Sequence, residues 1–396
     1  MTRRLSGKVA GKVAGKAPRP FAGKTRRIGK DINSIRRHID ALDTQLQALI
    51  SERARIVHDV GAAKRAANSN QSANTLDYYR PEREAEVLRN VIERNKKNGR
   101  PLRDEEMVRL FREIMSACLA QQEPLKVGFL GPEGTFTQQA VLKHFGHSAR
   151  ALPLPTIAEV FYEVQSGHAD FGVVPVENST EGTVNHTLDM FLNSPLKICG
   201  EIELRIHQNL IGKRLSLDAI KRVVSHQQSL AQCRGWLDEH LPHAERIAVS
   251  SNGEAARRAR DEDGTAAIAG SVAAEIYNLE VIEPNIEDRE DNTTRFLAIG
   301  RKVFGASGKD KTSLMITGGD TQSPGALYKL LEPFARKGIS LSRIESRPSH
   351  KKKWDYVFFI DVEGHVDTQP LKEVLAEIKK HSLFLRVLGS YPAAVL

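Results

Sequence analysis

Between residues 32 and 60 the apolar positions step by three and four: Ile32, Ile35, Ile39, Leu42, Leu46, Leu49, Ile56 and Val60. That spacing sets one face of a helix against a partner. Asp31 stands where an N-cap belongs, and the period predicts a helix to about Ala67. The polar run NSNQSANT at 68–75 breaks it. Pro81 then occupies the first turn of a second helix ending near Lys97, and NGRP at 98–101 stops that helix. A third helix is predicted from about Asp104 to Gln122. The stripe of the first helix is too long for two shorter helices to cover, so an interlocking homodimer or higher homo-oligomer is expected.

The period changes at Lys126. KVGFLGPEGTFTQQAVLKHF reads as strand, glycine turn and helix; the same order recurs in ADFGVVPVENSTEGTVNHTLDMF, IKRVVSHQQSLAQCRGWL and TAAIAGSVAAEIY. Short apolar strands alternating with helices predict an α/β domain with largely parallel sheets, long enough for two lobes and a cleft. GASGKDK at 305–311 reads as a linker. The remainder runs strand, helix, strand, strand, helix, strand, with Ser323 as cap and Pro324 in the first turn of its first helix. That βαββαβ order is the α+β ferredoxin-like pattern. The expected architecture is multidomain: a basic tail (1–30), an all-α module (31–123), a two-lobed α/β domain (126–304) and an α+β domain (312–396).

Charge changes the picture only at the start. The net charge is +9, but residues 1–30 hold ten Lys and Arg and no acid. The rest of the chain is therefore nearly neutral, at about −1. The tail, with its GKVAGKVAGKAPRP repeat, lacks the apolar content to order itself, and nucleic-acid contact through it is not expected. No apolar run of about 18 residues exists, so no membrane-spanning helix is predicted. Cys118, Cys199 and Cys233 are widely spaced with no CxxC pair. That excludes a disulfide framework or zinc ribbon and fits a reduced, cytoplasmic setting. His144 and His147 have no neighbouring Cys or carboxylate cluster, so neither metal nor cofactor is expected.

The candidate chemistry begins where the stripe is violated. Arg53 and Lys64 lie eleven residues apart, about three turns, so they share a face. Arg36 falls close to that face. Glu84 lines up with Leu88 and Val91 on the second helix, and Gln122 with Cys118 and Ile114 on the third. Five polar groups converging from three helices would each be costly unpaired. Together they point to a small polyanionic ligand, for which the planar fork of arginine is suited.

ALDTQLQALISERARIVHDVGAAK with RPEREAEVL resembles the all-helical chorismate mutases. GPEGTFT (131–137), PVENSTEG (175–182), SHQQSL (225–230) and DNTTRF (291–296) resemble the prephenate dehydratases. GALY (325–328) and ESRP (345–348) resemble the ACT signatures. From about residue 31 to 396 the order is that of the fused chorismate mutase–prephenate dehydratase family. The resemblance implies a dimeric, cofactor-free enzyme of phenylalanine synthesis that turns chorismate into prephenate and then phenylpyruvate.

By the same resemblance Arg36, Arg53 and Arg83 hold the two carboxylates of chorismate, with Arg36 supplied by the partner chain. Lys64 and Gln122 donate to the ether oxygen, and Glu84 orients the ring hydroxyl. Arg80 and Cys118 stand where some relatives carry an acid and a serine. The dehydratase cleft, similar to that of periplasmic binding proteins, would use Thr294 as a positioned proton donor, with Thr135, Asn178, Ser179, Thr180, His226, Gln228 and Arg295 as binding residues. Phenylalanine would bind at Gly325, Ala326, Leu327, Glu345, Ser346, Arg347 and Pro348 and inhibit the enzyme. Two competing readings are a dehydratase whose helical module only dimerises, and a non-catalytic amino-acid sensor.

Overall fold

The structure, a computed structural model, describes residues 31–67, 79–318, 325–348 and 356–396, without the side chains of 64–67 and 381. The basic tail, the break at 68–75 and the Ser323–Pro324 helix start lie outside the described residues. The chain divides into two units, residues 1–52 and 53–396.

Helix α1 (Ile32–Ala67) is a single run of 36 residues. Asp31 caps it, accepting from the Asn33 amide at 3.4 Å. In the first unit Ile32, Ile35, Ile39, Leu42, Leu46 and Leu49 are all exposed; in the second, so are Ile56 and Val60. Helices α2 (Pro81–Lys97) and α3 (Asp104–Ala120) pack on each other, and Leu88, Val91, Val108 and Cys118 are buried. Pro81 takes the first-turn position. Asn95 ties the turn, donating to Leu102 O (3.0 Å) and Asp104 Oδ1 (2.8 Å).

The α/β region has two sheets, each with its own lobe. In the first, β1 (Lys126–Leu130) pairs in parallel with β2 (Arg150–Leu154) and β3 (Phe171–Asn178). The short β4 (Gly182–Thr183) folds back on β3, and β5 (Lys197–Arg205) forms the far edge. Helices α4 (Phe136–Phe145), α5 (Ile157–Ser166) and α6 (Asn185–Asn193) cover the sheet. The second lobe orders its sheet β10-β6-β9-β7-β8, from β6 (Asn209–Gly212), β7 (Arg222–His226), β8 (Glu245–Val249), β9 (Thr265–Ala269) and β10 (Glu280–Glu283). Helices α7 (Gln227–Gln232), α8 (Arg234–His240), α9 (Asn252–Asp261) and α10 (Ser271–Tyr277) follow its strands.

The sheets are mixed rather than largely parallel. The chain crosses between lobes twice, after β5 and again before β11 (Thr293–Gly300), which returns to lie antiparallel between β3 and β5. That insertion is a long-range pairing with no local signature in sequence. The crossings pin each other: Gln208 N donates to Glu287 Oε2 (2.9 Å), and Ile286 N to Gln208 O (2.8 Å).

The last domain has the expected βαββαβ order: β12 (Asp310–Gly318), α11 (Ala326–Arg336), β13 (Leu341–Pro348), β14 (Tyr356–Glu363), α12 (Gln369–His381) and β15 (Ser382–Pro392). Its antiparallel sheet runs β13-β14-β12-β15. The predicted linker is not a free spacer. Arg89 of α2 donates to Ser307 O (2.7 Å) and Lys309 O (2.9 Å), and Asp310 already opens β12. Nor does this domain stand apart: Met315, Val357, Phe359, Leu388 and Tyr391 belong to the same apolar core as Val174, Val176 and Phe191 of the first lobe. Gly389 permits the approach, since a Cβ there would lie 2.1 Å from Ile198 O.

Candidate active sites

A half-open cavity of about 550 Å³, within the range of small-molecule sites, lies between the helical module and Phe145, Ser148 and Ala149 of the α/β region. Arg53 borders it from α1, Arg83 and Glu84 from α2, and Cys118 from α3, with Arg80 at its edge. Arg53 is half-buried, and its Nη1 is buried without a hydrogen-bond partner. Burying a cationic donor unpaired costs several kcal/mol, so the atom is set for an anion. Arg83 is exposed and pairs with Glu86 at 2.6 Å; Arg80 is exposed too. Burial raises the pKa of Glu84, opposed by Arg112, whose Nε lies 3.5 Å from Glu84 Oε1.

Two expected members stand differently. Gln122 does not border the cavity: its amide donates to Val57 O at 2.7 Å, in space left by Gly61, where a Cβ would lie 2.6 Å from it. Lys64 is on α1, but its side chain is outside the described residues. Arg36 is exposed on α1. Arg112 and Tyr79, both buried against Glu84, were missed; Arg112 breaks the stripe of Val108, Met115 and Leu119 on α3 as Arg53 breaks that of α1, whereas a tyrosine before Pro81 gives no periodic signal.

The second constellation lies where the lobes meet. Thr135, Asn178 and His226 sit at the carboxyl ends of β1, β3 and β7, where ligands of α/β sheets bind. Thr294 is buried, and its Oγ1 accepts from Asn178 Nδ2 at 2.7 Å. With a lone pair of the hydroxyl so occupied, its own proton is free for another acceptor. Asn178 also donates to Asn292 Oδ1 (2.9 Å) and accepts from the amides of Thr180 and Glu181 (3.0 Å each). The Ser179 hydroxyl accepts from Thr293 N at 2.9 Å, and the Thr180 hydroxyl reaches Asn292 Oδ1 at 3.5 Å.

From Asn292 the chain of amides crosses to the other lobe. Its Nδ2 donates to Gln232 Oε1 (3.2 Å), which also accepts from Gln208 Nε2 (3.0 Å). Gln208 donates in turn to Ser229 Oγ at 3.1 Å, and Ser229 accepts from Asn252 at 2.8 Å. Asn292, Gln208, Gln232 and Asn252 were not singled out from sequence; only Asn292 had a signal, inside DNTTRF. Thr135 caps α4, accepting from Gln138 N at 3.4 Å, and His226 caps α7, accepting from Gln228 N at 3.3 Å. Gln228 itself is exposed.

Arg295 does not join Thr294. Successive strand residues point to opposite faces, and Arg295 is turned to the ACT-like sheet. There it pairs with Glu201 (2.9 Å) and Asp361 (2.6 Å) and donates to Tyr391 Oη (3.1 Å). Burial disfavours its charge, but Tyr391, Asp361 and Glu201 outweigh that and raise its pKa. Its expected substrate-binding place is corrected accordingly. Phe296 is buried core.

In the last domain Gly325 takes the left-handed cap of α11 (φ 79°), ahead of Ala326 and Leu327. Of the β13 signature, Glu345 Oε2 accepts from Thr183 at 2.7 Å and Arg347 grips Asp189 with contacts of 2.8–3.0 Å. Ser346 and Pro348 pair with Phe358 and Tyr356 of β14. The signature thus faces the first lobe with at least two of its side chains. Among the described residues no cluster of His, Cys, Asp and Glu forms a metal site, and no helix is long and apolar enough to cross a membrane.

Residues 35–123 match the family of type II chorismate mutases, 127–303 the prephenate dehydratases and 316–380 the ACT domains. The chain is 54% identical over 366 residues to the bifunctional chorismate mutase/prephenate dehydratase of Pseudomonas aeruginosa, covering 92% of this chain and 98% of that one. It is 49% identical to the enzyme of that name from Neisseria gonorrhoeae, over 91% and 97% of the two chains. Among solved structures, prephenate dehydratase in complex with L-Phe from Arthrobacter aurescens superposes with a TM-score of 0.63 at 36% identity, over 68% of this chain and 90% of that one. The chain belongs to the bifunctional chorismate mutase/prephenate dehydratase family.

Proposed function

We propose that the two constellations are the two active sites of this bifunctional enzyme, acting on chorismate and prephenate in turn. The orphaned Nη1 of Arg53 carries the first assignment. Chorismate is a dianion, and its rearrangement needs no nucleophile and no cofactor. The ring and side chain must be held in a compact conformer, with donors placed where charge develops on the ether oxygen. Arg53 and Arg83 hold carboxylates and Glu84 accepts from the ring hydroxyl, while the family resemblance assigns Lys64 as donor to the ether oxygen. Cys118 and Arg80 shape the wall and rim. Gln122 reaches the ether oxygen by exchanging its bond to Val57.

The exposed apolar face of α1 supports the dimer reading. A second copy laid along Ile32 to Leu49 would remove that stripe from water and supply its own Arg36. The three cysteines, unpaired and buried, fit a cytoplasmic enzyme.

For the second reaction the Asn178–Thr294 hydrogen bond carries the reading. In prephenate the bond from the ring to its carboxylate breaks, its electrons aromatise the ring, and the ring hydroxyl departs as water after taking a proton. Thr294, its lone pair held by Asn178, directs its O–H at that leaving oxygen. Asn178, Ser179, Thr180, Thr135, His226 and Gln228 surround the remainder of the substrate from both lobes. Phenylalanine binding at Gly325–Leu327 and Glu345–Pro348 lowers dehydratase activity.

Chorismate added to the purified protein tests the whole scheme. Ultraviolet absorbance should show chorismate loss followed by phenylpyruvate, with the second step suppressed by phenylalanine. Chorismate loss without phenylpyruvate, or neither, overturns it.

A further inference from the structure

We propose that Arg112 is a positioning residue of the mutase reaction, holding Glu84 ionised and aimed into the cavity. It rests on assigning that cavity to chorismate. Arg112 and Glu84 are each largely buried, with side chains 11% and 17% exposed, and lie 3.5 Å apart. The Nε of Arg112 is buried without a hydrogen-bond partner, so it acts on Glu84 as a nearby charge, and Glu84 is the carboxylate it faces. A buried carboxylate left alone neutralises itself by taking a proton. As an acid, Glu84 would offer the ring hydroxyl a donor in place of an acceptor.

The other groups around the pair do not replace Arg112. Arg80 and Arg83, from the start of α2, are exposed, and Arg83 is held by Glu86. Arg53, from α1, borders the far wall. Behind the pair lies a void of about 40 Å³ shared with Tyr79, with Lys143 and His144 of α4, and with Glu201 and Glu203 of β5. Burial holds His144 down to about 3, so it is neutral. Lys143 donates to Glu203 O at 2.7 Å, and Glu201 pairs with Arg295.

Arg112→Gln should lower kcat/KM for chorismate about tenfold at neutral pH, the factor that one pKa unit on Glu84 represents. The decisive readout is the pH profile. The acid limb of the variant should lie above that of the parent, with the deficit shrinking as pH rises, and Arg112→Lys should restore part of the rate. Unchanged prephenate turnover by the same protein shows that the fold is intact. An equal loss at every pH, or no loss, overturns the proposal. If Arg53→Ala leaves the mutase rate unchanged, the cavity assignment itself fails instead.

A separate observation concerns the dehydratase site. On the β3–β11 ladder Thr294 pairs with Asn178, and the next rung is Arg295 with Glu177. In the ACT sheet Arg343 pairs with Asp361. The two charged rungs cross-link: Arg295 Nη1 to Asp361 Oδ2 at 2.6 Å, and Arg343 Nε to Glu177 Oε2 at 3.1 Å. We infer that this quartet carries the phenylalanine signal, since any shift of β13 against β14 pulls on the rung beside Asn178 and Thr294. It rests on reading the last domain as a phenylalanine sensor.

Arg343→Ala should raise the phenylalanine concentration for half-inhibition about tenfold or more, a typical coupling, with basal prephenate turnover kept. Glu177→Gln should do the same, and the double variant should be no worse than either alone. Calorimetry separates the readings. Phenylalanine bound with inhibition unchanged in both variants overturns the route, while a parent protein that binds no phenylalanine overturns the sensor.

Discussion

The two sites solve opposite problems with opposite materials. Charges project into the largely apolar wall of the helical cavity: Arg53 with an unpartnered donor, Arg83, and a buried Glu84–Arg112 pair. The cleft is ordered by neutral amides and hydroxyls hydrogen-bonded in series from Thr294 to Asn252, with only Gln208 Oε1 among these groups left buried and unpartnered. A rearrangement that makes and breaks no bond to a proton needs fixed fields, and an unpaired donor is a field waiting for its anion. An elimination that must deliver one proton to one oxygen needs a hydroxyl whose rotor is locked, which a neutral network supplies without repelling or trapping the dianion.

That contrast can be broken variant by variant. The largest effect is expected at Asn178→Ala, which frees the Thr294 hydroxyl and two backbone amides. Prephenate kcat should fall about 100-fold, the loss typical for a site-orienting donor, with chorismate loss unaffected. A parallel fall in chorismate loss would mean that the sites are not independent. Asn292→Ala should cost less, about fivefold: of the three hydrogen bonds its side chain makes, only the one from Asn178 reaches the Thr294 pair, and one neutral hydrogen bond is worth about 1 kcal/mol. If it matches Asn178→Ala, the network acts as a unit rather than in series.

The smallest effect concerns the seam between the two regions, where Tyr79 Oη lies 3.4 Å from His144 Nε2. Burial, with Arg112 and Lys143 adding to it, lowers the His144 pKa to about 3. Unfolded, the ring titrates near 6.5. A depressed folded value means that the unfolded chain binds the proton first. The stabilisation is therefore complete above about pH 6.5 and is lost progressively as pH falls towards 3. The thermal midpoint should decline over that window, and His144→Gln should flatten the decline. An unchanged slope would show that His144 does not govern acid stability at the seam.

How far each region could be read from sequence follows the same division. Cations breaking an apolar stripe are conspicuous, so Arg53 was visible, as were α1, the Pro81 start and the βαββαβ order, all fixed by local period and capping. The return of β11 between β3 and β5 pairs residues from 88 to 129 positions apart, and nothing local encodes it. Gln208 and Gln232 are neutral residues next to ordinary strands and helices, and only the fold brings them together. Arg295 is different. Adjacent residues of one strand cannot face one site, so its separation from Thr294 was available from alternation alone.

The central claim is that one chain carries two chemically independent sites. The measurement that tests it most directly is a crossed assay of Arg53→Ala and Thr294→Ala, each supplied with chorismate and, separately, with prephenate. Arg53→Ala should lose chorismate turnover by about 100-fold or more while consuming prephenate at the parent rate. Thr294→Ala should convert chorismate normally and accumulate prephenate. Equal loss of both activities in either variant, or retention of chorismate turnover in Arg53→Ala, would contradict the account.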